Sequence, residues 1–231
     1  MSENMPDWER VLSAAAHLQQ LLPDAVLVGG TAAARHAGHR FSRDADHVLT
    51  DLRSRFDDVL AELESVAGWT TARINRPVLI LGSLDGIETG VRQLVRTEPL
   101  ETTRFEHGGQ TITLPTATEM LRIKAALILK RNATRDYIDF AALADRINEA
   151  GCVDAFRRFD ALYPQPNGGS ALQQLQIQLA NPVPYDLEET NLTEYKGLDP
   201  RWHDWQGVKD ACAATAMLVF DRLSSEATDR P

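Results

Sequence analysis

Between residues 26 and 46 the chain reads Val26-Leu27-Val28-Gly29-Gly30-Thr31, a short Ala-, Arg- and His-rich segment, then Ser42-Arg43-Asp44-Ala45-Asp46. The pattern is an apolar strand, a Gly-Gly turn, a short helix and a strand with two carboxylates one residue apart. Side chains two apart on a strand share a face, so Asp44 and Asp46 are expected to project side by side. Paired carboxylates repel unless a cation lies between them, and oxygen donors of this kind suit Mg²⁺. A glycine turn that opens a helix offers backbone N–H groups to an anion. A phosphate cradle beside metal-binding carboxylates suggests nucleotidyl or phosphoryl transfer.

Taken singly, each half is weak. Two acids on a strand edge are unremarkable, and Gly-Gly-Thr is an ordinary turn whose Thr31 hydroxyl either caps a helix or bonds a phosphate oxygen. Their order along the chain gives the pattern its weight.

This arrangement resembles the DNA polymerase β-type nucleotidyltransferase superfamily. More closely, it is similar to the AbiEii/AbiGii toxin-type nucleotidyltransferases of type IV toxin–antitoxin systems. The matching residues are Gly29-Gly30-Thr31 and His39-Arg40-Phe41-Ser42-Arg43-Asp44-Ala45-Asp46. A second matching segment is Ile123-Lys124-Ala125-Ala126-Leu127, then Arg131, then Arg135-Asp136-Tyr137-Ile138-Asp139-Phe140. The resemblance covers roughly residues 20–145 and implies an α+β fold: a polymerase β-like mixed sheet with flanking helices, followed by a helical C-terminal domain.

By that resemblance Asp44 and Asp46 hold Mg²⁺ (or Mn²⁺), and Gly29, Gly30 and Thr31 hold the nucleoside triphosphate. Arg40 and Ser42 support either the acidic strand or the phosphates. Lys124 contacts the triphosphate, and Asp136 or Asp139 is a functional acid. Arg131 and Arg135 either bind phosphates or neutralise those acids. The bland alternatives are a helix N-terminal charge for Asp136 and an intramolecular Arg partner for Asp139.

The chain departs from the superfamily at a third carboxylate, which usually stands on a neighbouring strand as base and second-metal ligand. Here that strand is expected at Ile87-Glu88-Thr89-Gly90-Val91, and the position falls on Gly90. Glu88 lies two residues away on the same face as the nearest substitute. Without it, the site is expected to hold one metal well and a second poorly.

At 231 residues with 43% apolar side chains, the chain can bury a sizeable core as one large or two small domains. A boundary is expected near residue 115, giving a catalytic domain over 1–115 and a helical domain over 116–231 that share a cleft. No apolar run approaches a membrane span, and no signal pattern opens the chain. Cys152 and Cys212 lack metal-ligand spacing and are expected as buried free thiols, which makes a reduced, cytoplasmic setting the default. The net charge of −9 argues against broad nucleic-acid binding. Residues 122–135 nonetheless carry Arg122, Lys124, Lys130, Arg131 and Arg135 without an acid, either a local phosphate-binding patch or a solvated helix face.

Helical spacing predicts helices over 7–22, from Thr31 to His36, and from Thr50 or Asp51 to Gly68. Strands are expected over 24–28, 44–49, 69–74, 78–84 and 87–95, with an Asp85-Gly86 hairpin and a second hairpin at Gly108-Gly109. Thr116-Ala117-Thr118-Glu119 reads as a capping box, after which the chain is almost wholly helical. One helix there is expected to stop at Gly151. Residues 164–170 and 181–202 read as loops, 208–223 as a final helix, and the tail from about 224 as disordered. His36 and His39 lack further nearby ligands for zinc. Trp202, His203 and Trp205 either stack a base or, more in keeping with their setting, anchor a loop.

Three functions follow as expectations. The first is a Mg²⁺-dependent transfer of a nucleotidyl group from an NTP, with tRNA as the acceptor implied by the toxin-type resemblance and a separate antitoxin as partner. The second is an aminoglycoside-type small-molecule nucleotidyltransferase, suited by an acidic C-terminal half. The third is a non-catalytic nucleotide-binding protein on a degenerate site.

Overall fold

A computed structural model describes residues 8–166 and 168–228. In chain order the elements are α1 (Trp8–Leu21), β1 (Val26–Leu27), α2 (Gly29–Ala37), β2 (Asp44–Leu49), α3 (Phe56–Glu64), β3 (Trp69–Asn75), β4 (Leu79–Leu84), β5 (Ile87–Gln93), β6 (Thr102–His107) and β7 (Gln110–Pro115). The helices α4 (Ala117–Arg131), α5 (Thr134–Arg146), α6 (Glu149–Phe156), α7 (Phe159–Leu162), α8 (Ala171–Ala180) and α9 (Trp205–Thr228) follow. Two 3₁₀ turns, Leu192–Glu194 and Pro200–Trp202, interrupt the long connection before α9.

The chain divides into two units. The first comprises Met1–Arg35 and Phe41–Thr116, and the second comprises His36–Arg40 and Ala117–Pro231. The short segment that follows α2's first turns therefore belongs to the second unit.

In the first unit five strands form a mixed sheet in the order β1-β2-β5-β4-β3. β2 and β5 run parallel, with Asp44 opposite Glu88, Asp46 opposite Gly90 and Val48 opposite Arg92. The other pairings are antiparallel. Strict alternation makes β2 two-faced: Ala45, His47 and Leu49 are buried, while Asp44, Asp46 and Val48 are half-buried on the other side. The inner side joins a core of Leu18, Leu22, Leu49, Leu52, Phe56, Leu63, Ile80, Leu84 and Val91. Asp85 and Gly86 both take positive φ, as a tight two-residue hairpin requires, and so do Gly108 and Gly109 between β6 and β7.

Two carbonyl-centred contacts fix β2 in place. His47 Nδ1 donates to the Ala45 carbonyl at 2.9 Å, and Thr89 Oγ1 donates to the same carbonyl at 2.5 Å. Burial pushes the His47 imidazole down to about 4, so it is neutral at ordinary pH.

In the second unit α4, α5, α6, α8 and α9 pack around Met120, Leu121, Ile128, Tyr137, Phe140, Phe156, Phe159, Leu175 and Val208. The α5 N-terminus lacks a cap from its own preceding residue, Ala133. Asp186 caps it from far along the chain, accepting from Thr134 N and Thr134 Oγ1 at 2.7 Å each.

Several expected boundaries move. α2 opens at Gly29, not at Thr31, which places Thr31 inside the helix. α3 starts at Phe56, because residues 51–55 form a turn that buries Leu52. Gly151 does not stop a helix but lies within α6, its N–H accepted by the Asn148 cap at 2.8 Å. α9 begins three residues before the expected 208 and continues to Thr228, so the tail from about 224 is helical that far. Residues 229–231, the rest of that tail, lie outside the described residues, as do Asp7 of the first helix and Asn167 of the 164–170 loop.

Candidate functional site

The first unit places the Gly-Gly turn directly against the acidic strand. Gly29 has φ +73°, a conformation side chains rarely adopt. A Cβ built on it would lie 3.5 Å from Asp46 Cβ and 3.6 Å from Asp46 Oδ2. The Asp46 side chain thus stands beside the start of α2. Val28 N donates to the Asp46 carbonyl at 2.8 Å, which locks the turn to β2.

Thr31 is fully buried, and its hydroxyl donates to the main-chain carbonyl of Asp44. It therefore positions the acidic strand from inside α2. Ser42 Oγ donates to Asp44 Oδ1 at 2.5 Å, orienting one carboxylate.

Asp44 and Asp46 share one half-buried face, as their spacing implies. Glu88 lies opposite Asp44 on that face and is exposed. Among the described residues no three His, Cys, Asp or Glu side chains converge to hold a metal, so Glu88 does not complete a three-carboxylate set. Opposite Asp46 stands Gly90, and the space above it is filled: a Cβ there would meet Leu81 Cδ2 at 2.5 Å and the Ile80 carbonyl at 2.9 Å. Arg92, two residues further along the same face, places Nη2 3.8 Å from Asp46 Oδ1. The alternation of β5 already puts Arg92 on the Glu88 face, which is the signal that would have found it.

Two aspartates offering only oxygen fit one hard divalent cation. Mg²⁺ is commonly held by one or two carboxylates, with water and substrate phosphates supplying the remaining ligands. The donor set does not extend to a second ion.

The second unit gathers Arg40, Lys124, Arg131, Asp136 and Asp139 into one ion network, while Arg135 is exposed. Arg40 grips Asp139 bidentately, Nε to Oδ1 at 2.7 Å and Nη2 to Oδ2 at 2.9 Å. Lys124 Nζ lies 2.6 Å from Asp139 Oδ2 and 3.2 Å from Asp136 Oδ1. Arg131 holds Asp136 through Nε and, at 2.7 Å, through Nη2. His39 Nε2 donates to Asp139 Oδ1 at 2.7 Å. Asp136 and Asp139 have no solvent exposure, Lys124 and Arg40 almost none, and only Arg131 is partly open at 36%. Burial pushes the Asp139 carboxyl up, but Arg40, Lys124 and the His39 hydrogen bond outweigh it and hold the group well below the usual carboxylate range.

Asp139 thus has the intramolecular Arg partner weighed for it in the sequence, and that partner is Arg40. Arg131 neutralises Asp136. Sequence reasoning missed His39 as an Asp139 ligand. The aromatic cluster anchors structure: Trp202 is buried, Trp205 meets Tyr137 edge-on at 6.0 Å, and His203 Nε2 donates to the Leu198 carbonyl at 2.8 Å. Cys152 and Cys212 are free and buried.

No family model matches the chain. Among solved structures it is similar over nearly its whole length to JHP933 from Helicobacter pylori, with a TM-score of 0.56, 16% identity and coverage of 99% of this chain and 97% of that one. A candidate nucleotidyltransferase from H. pylori gives a TM-score of 0.57 at 16% identity, covering 97% and 98%. The fold is nucleotidyltransferase-like. An antigenic nucleotidyltransferase-like protein from Paracoccidioides brasiliensis agrees, with a TM-score of 0.50, 19% identity and coverage of 86% and 97%.

Sequence similarity leads elsewhere. The mycolic acid-containing lipids exporter MmpL11 of Mycolicibacterium smegmatis is 30% identical over 129 residues, which is 54% of this chain and 13% of that protein. The heme uptake protein MmpL11 of Mycobacterium tuberculosis is 27% identical over 230 residues, 93% of this chain and 23% of that protein. The chain spans less than a quarter of the length of the curated relatives it matches. Among the described residues no helix is long and apolar enough to cross a membrane.

Proposed function

We propose that this chain transfers a nucleotidyl group from a nucleoside triphosphate to an acceptor, with Asp44 and Asp46 holding one Mg²⁺ or Mn²⁺. The observation that carries the reading is the placement of the Gly29 turn beside the Asp46 side chain, which sets a helix start suited to phosphate next to two carboxylates on one strand face. The nucleotidyltransferase-like fold agrees with it.

The bound cation would neutralise phosphate oxygen charge and align the reacting groups. The protein's own part is positioning. Backbone N–H groups at Gly29 and Gly30 bind the phosphates, Ser42 orients Asp44, and Thr31 ties α2 to β2. Lys124, Asp136, Asp139, Arg40 and Arg131 hold the second unit's helices in one arrangement.

The resemblance to toxin-type nucleotidyltransferases makes RNA the acceptor of this proposal, with a tRNA 3′ end as its specific form, and a cognate antitoxin the protein partner. A second reading, nucleotide binding without turnover, is favoured by one observation: Leu81 occupies the place above Gly90 where a third carboxylate would begin.

Incubation with each α-³²P-labelled NTP, Mg²⁺ and total tRNA, beside the Asp44→Ala/Asp46→Ala double variant, tests both. Label entering RNA with the parent alone supports the first reading. Nucleotide binding by calorimetry without label transfer to any acceptor supports the second.

A further inference from the structure

Three residues on adjacent strands decide the charge balance at this site. The parallel register sets Gly90 opposite Asp46, and the antiparallel register sets Leu81 opposite Gly90. All three share one face of the sheet. Leu81 folds over Gly90 so closely that a Cβ there would lie 2.5 Å from its Cδ2. An acidic side chain cannot start from Gly90 without displacing Leu81.

A triphosphate nevertheless brings about four negative charges to a site that already carries two carboxylates. One divalent cation leaves that charge largely uncompensated. The same face supplies a remedy two residues on. Arg92 is half-exposed, and its guanidinium stands 3.8 Å from Asp46, within ion-pair range but beyond hydrogen-bond reach. A guanidinium is planar, permanently charged and shaped to take phosphate oxygens in pairs.

We propose that Arg92 supplies the positive charge that a second cation would otherwise supply, so that the site takes one divalent cation together with a nucleoside triphosphate. Before nucleotide arrives Arg92 neutralises Asp46. When phosphates arrive it turns to them and leaves Asp46 to the cation. This rests on the nucleotide-binding reading above.

The test is a count and two affinities. Mn²⁺ bound per chain is measured by the loss of the free Mn²⁺ resonance, with saturating α,β-methylene-ATP. Binding of Mn²⁺ alone, and of ATP in EDTA, is measured by calorimetry for the parent, Arg92→Gln and Arg92→Lys. The parent is expected to hold one Mn²⁺ per nucleotide complex. Removing a cation beside a carboxylate should tighten Mn²⁺ alone by about fivefold in Arg92→Gln and weaken metal-free ATP by about tenfold, with Arg92→Lys restoring most of both. Two Mn²⁺ in the parent, or unchanged affinities in Arg92→Gln, overturn the proposal while leaving nucleotide binding in place. A parent that binds neither Mn²⁺ nor nucleotide overturns both this inference and the reading beneath it.

Discussion

Arg40 and Asp139, ninety-nine residues apart in sequence, meet through two hydrogen bonds of 2.7 and 2.9 Å with both side chains sealed from solvent. This pair ties the His36–Arg40 segment into the second unit. Lys124 and His39 reach the same carboxylate, so three side chains from outside its own helix compensate Asp139.

Asp139→Asn should therefore be costly. It removes the buried carboxylate that Arg40 Nε and Nη2 and Lys124 share, leaving Lys124 only Asp136, and breaking a buried pair in this way typically costs about 3–5 kcal/mol. Urea unfolding followed by circular dichroism measures it. A loss below about 1 kcal/mol would show the network to be dispensable.

The same carboxylate makes stability depend on acid. Its folded pKa is well below its unfolded value, so the unfolded chain binds this proton first as pH falls. The stabilisation is complete above about pH 4 and is lost progressively as pH drops from there towards the folded value. Asp139→Asn should lack this part of the acid slope. Midpoints measured between pH 5 and 2.5 for parent and variant settle it, and identical slopes would refute it.

Gly29→Ala tests the turn. The space admits a methyl group, 3.5 Å from Asp46 Cβ, but φ +73° does not suit one. The expected loss is about 1–2 kcal/mol of stability together with weaker nucleotide binding. Gly38→Ala, also at positive φ but with nothing within 4 Å, controls for backbone strain alone. Equal effects of the two variants on nucleotide affinity would remove the turn from the binding site.

The thiols should be inert in the native protein. Burial raises Cys152 to about 11 and drives Cys212 higher still, so neither supplies thiolate at neutral pH. Iodoacetamide at pH 7.5 is expected to label neither thiol before unfolding and both after it, read by mass spectrometry. Rapid native labelling of Cys212 would contradict its burial.

Local pattern determined a good deal by itself. The alternation of residues 44–49 specified β2 and put both aspartates on one face, because the strand period is two whatever the surroundings. Asp85-Gly86 and Gly108-Gly109 specified their hairpins, since few other residues accept two successive positive φ values. The α+β class and the shift to helix after Thr116 were legible for the same reason. Tertiary structure decided the rest. Thr31 reads as a cap until the packing of α2 against β2 gives its hydroxyl the Asp44 carbonyl. Gly151 reads as a stop until Asn148 caps the helix around it. Arg40, Lys124 and Asp139 carry functional and structural readings alike in the sequence, and only their convergence shows which charges are matched. The register that sets Gly90 opposite Asp46 and Leu81 over Gly90 is a relation between strands, and no single strand's sequence contains it.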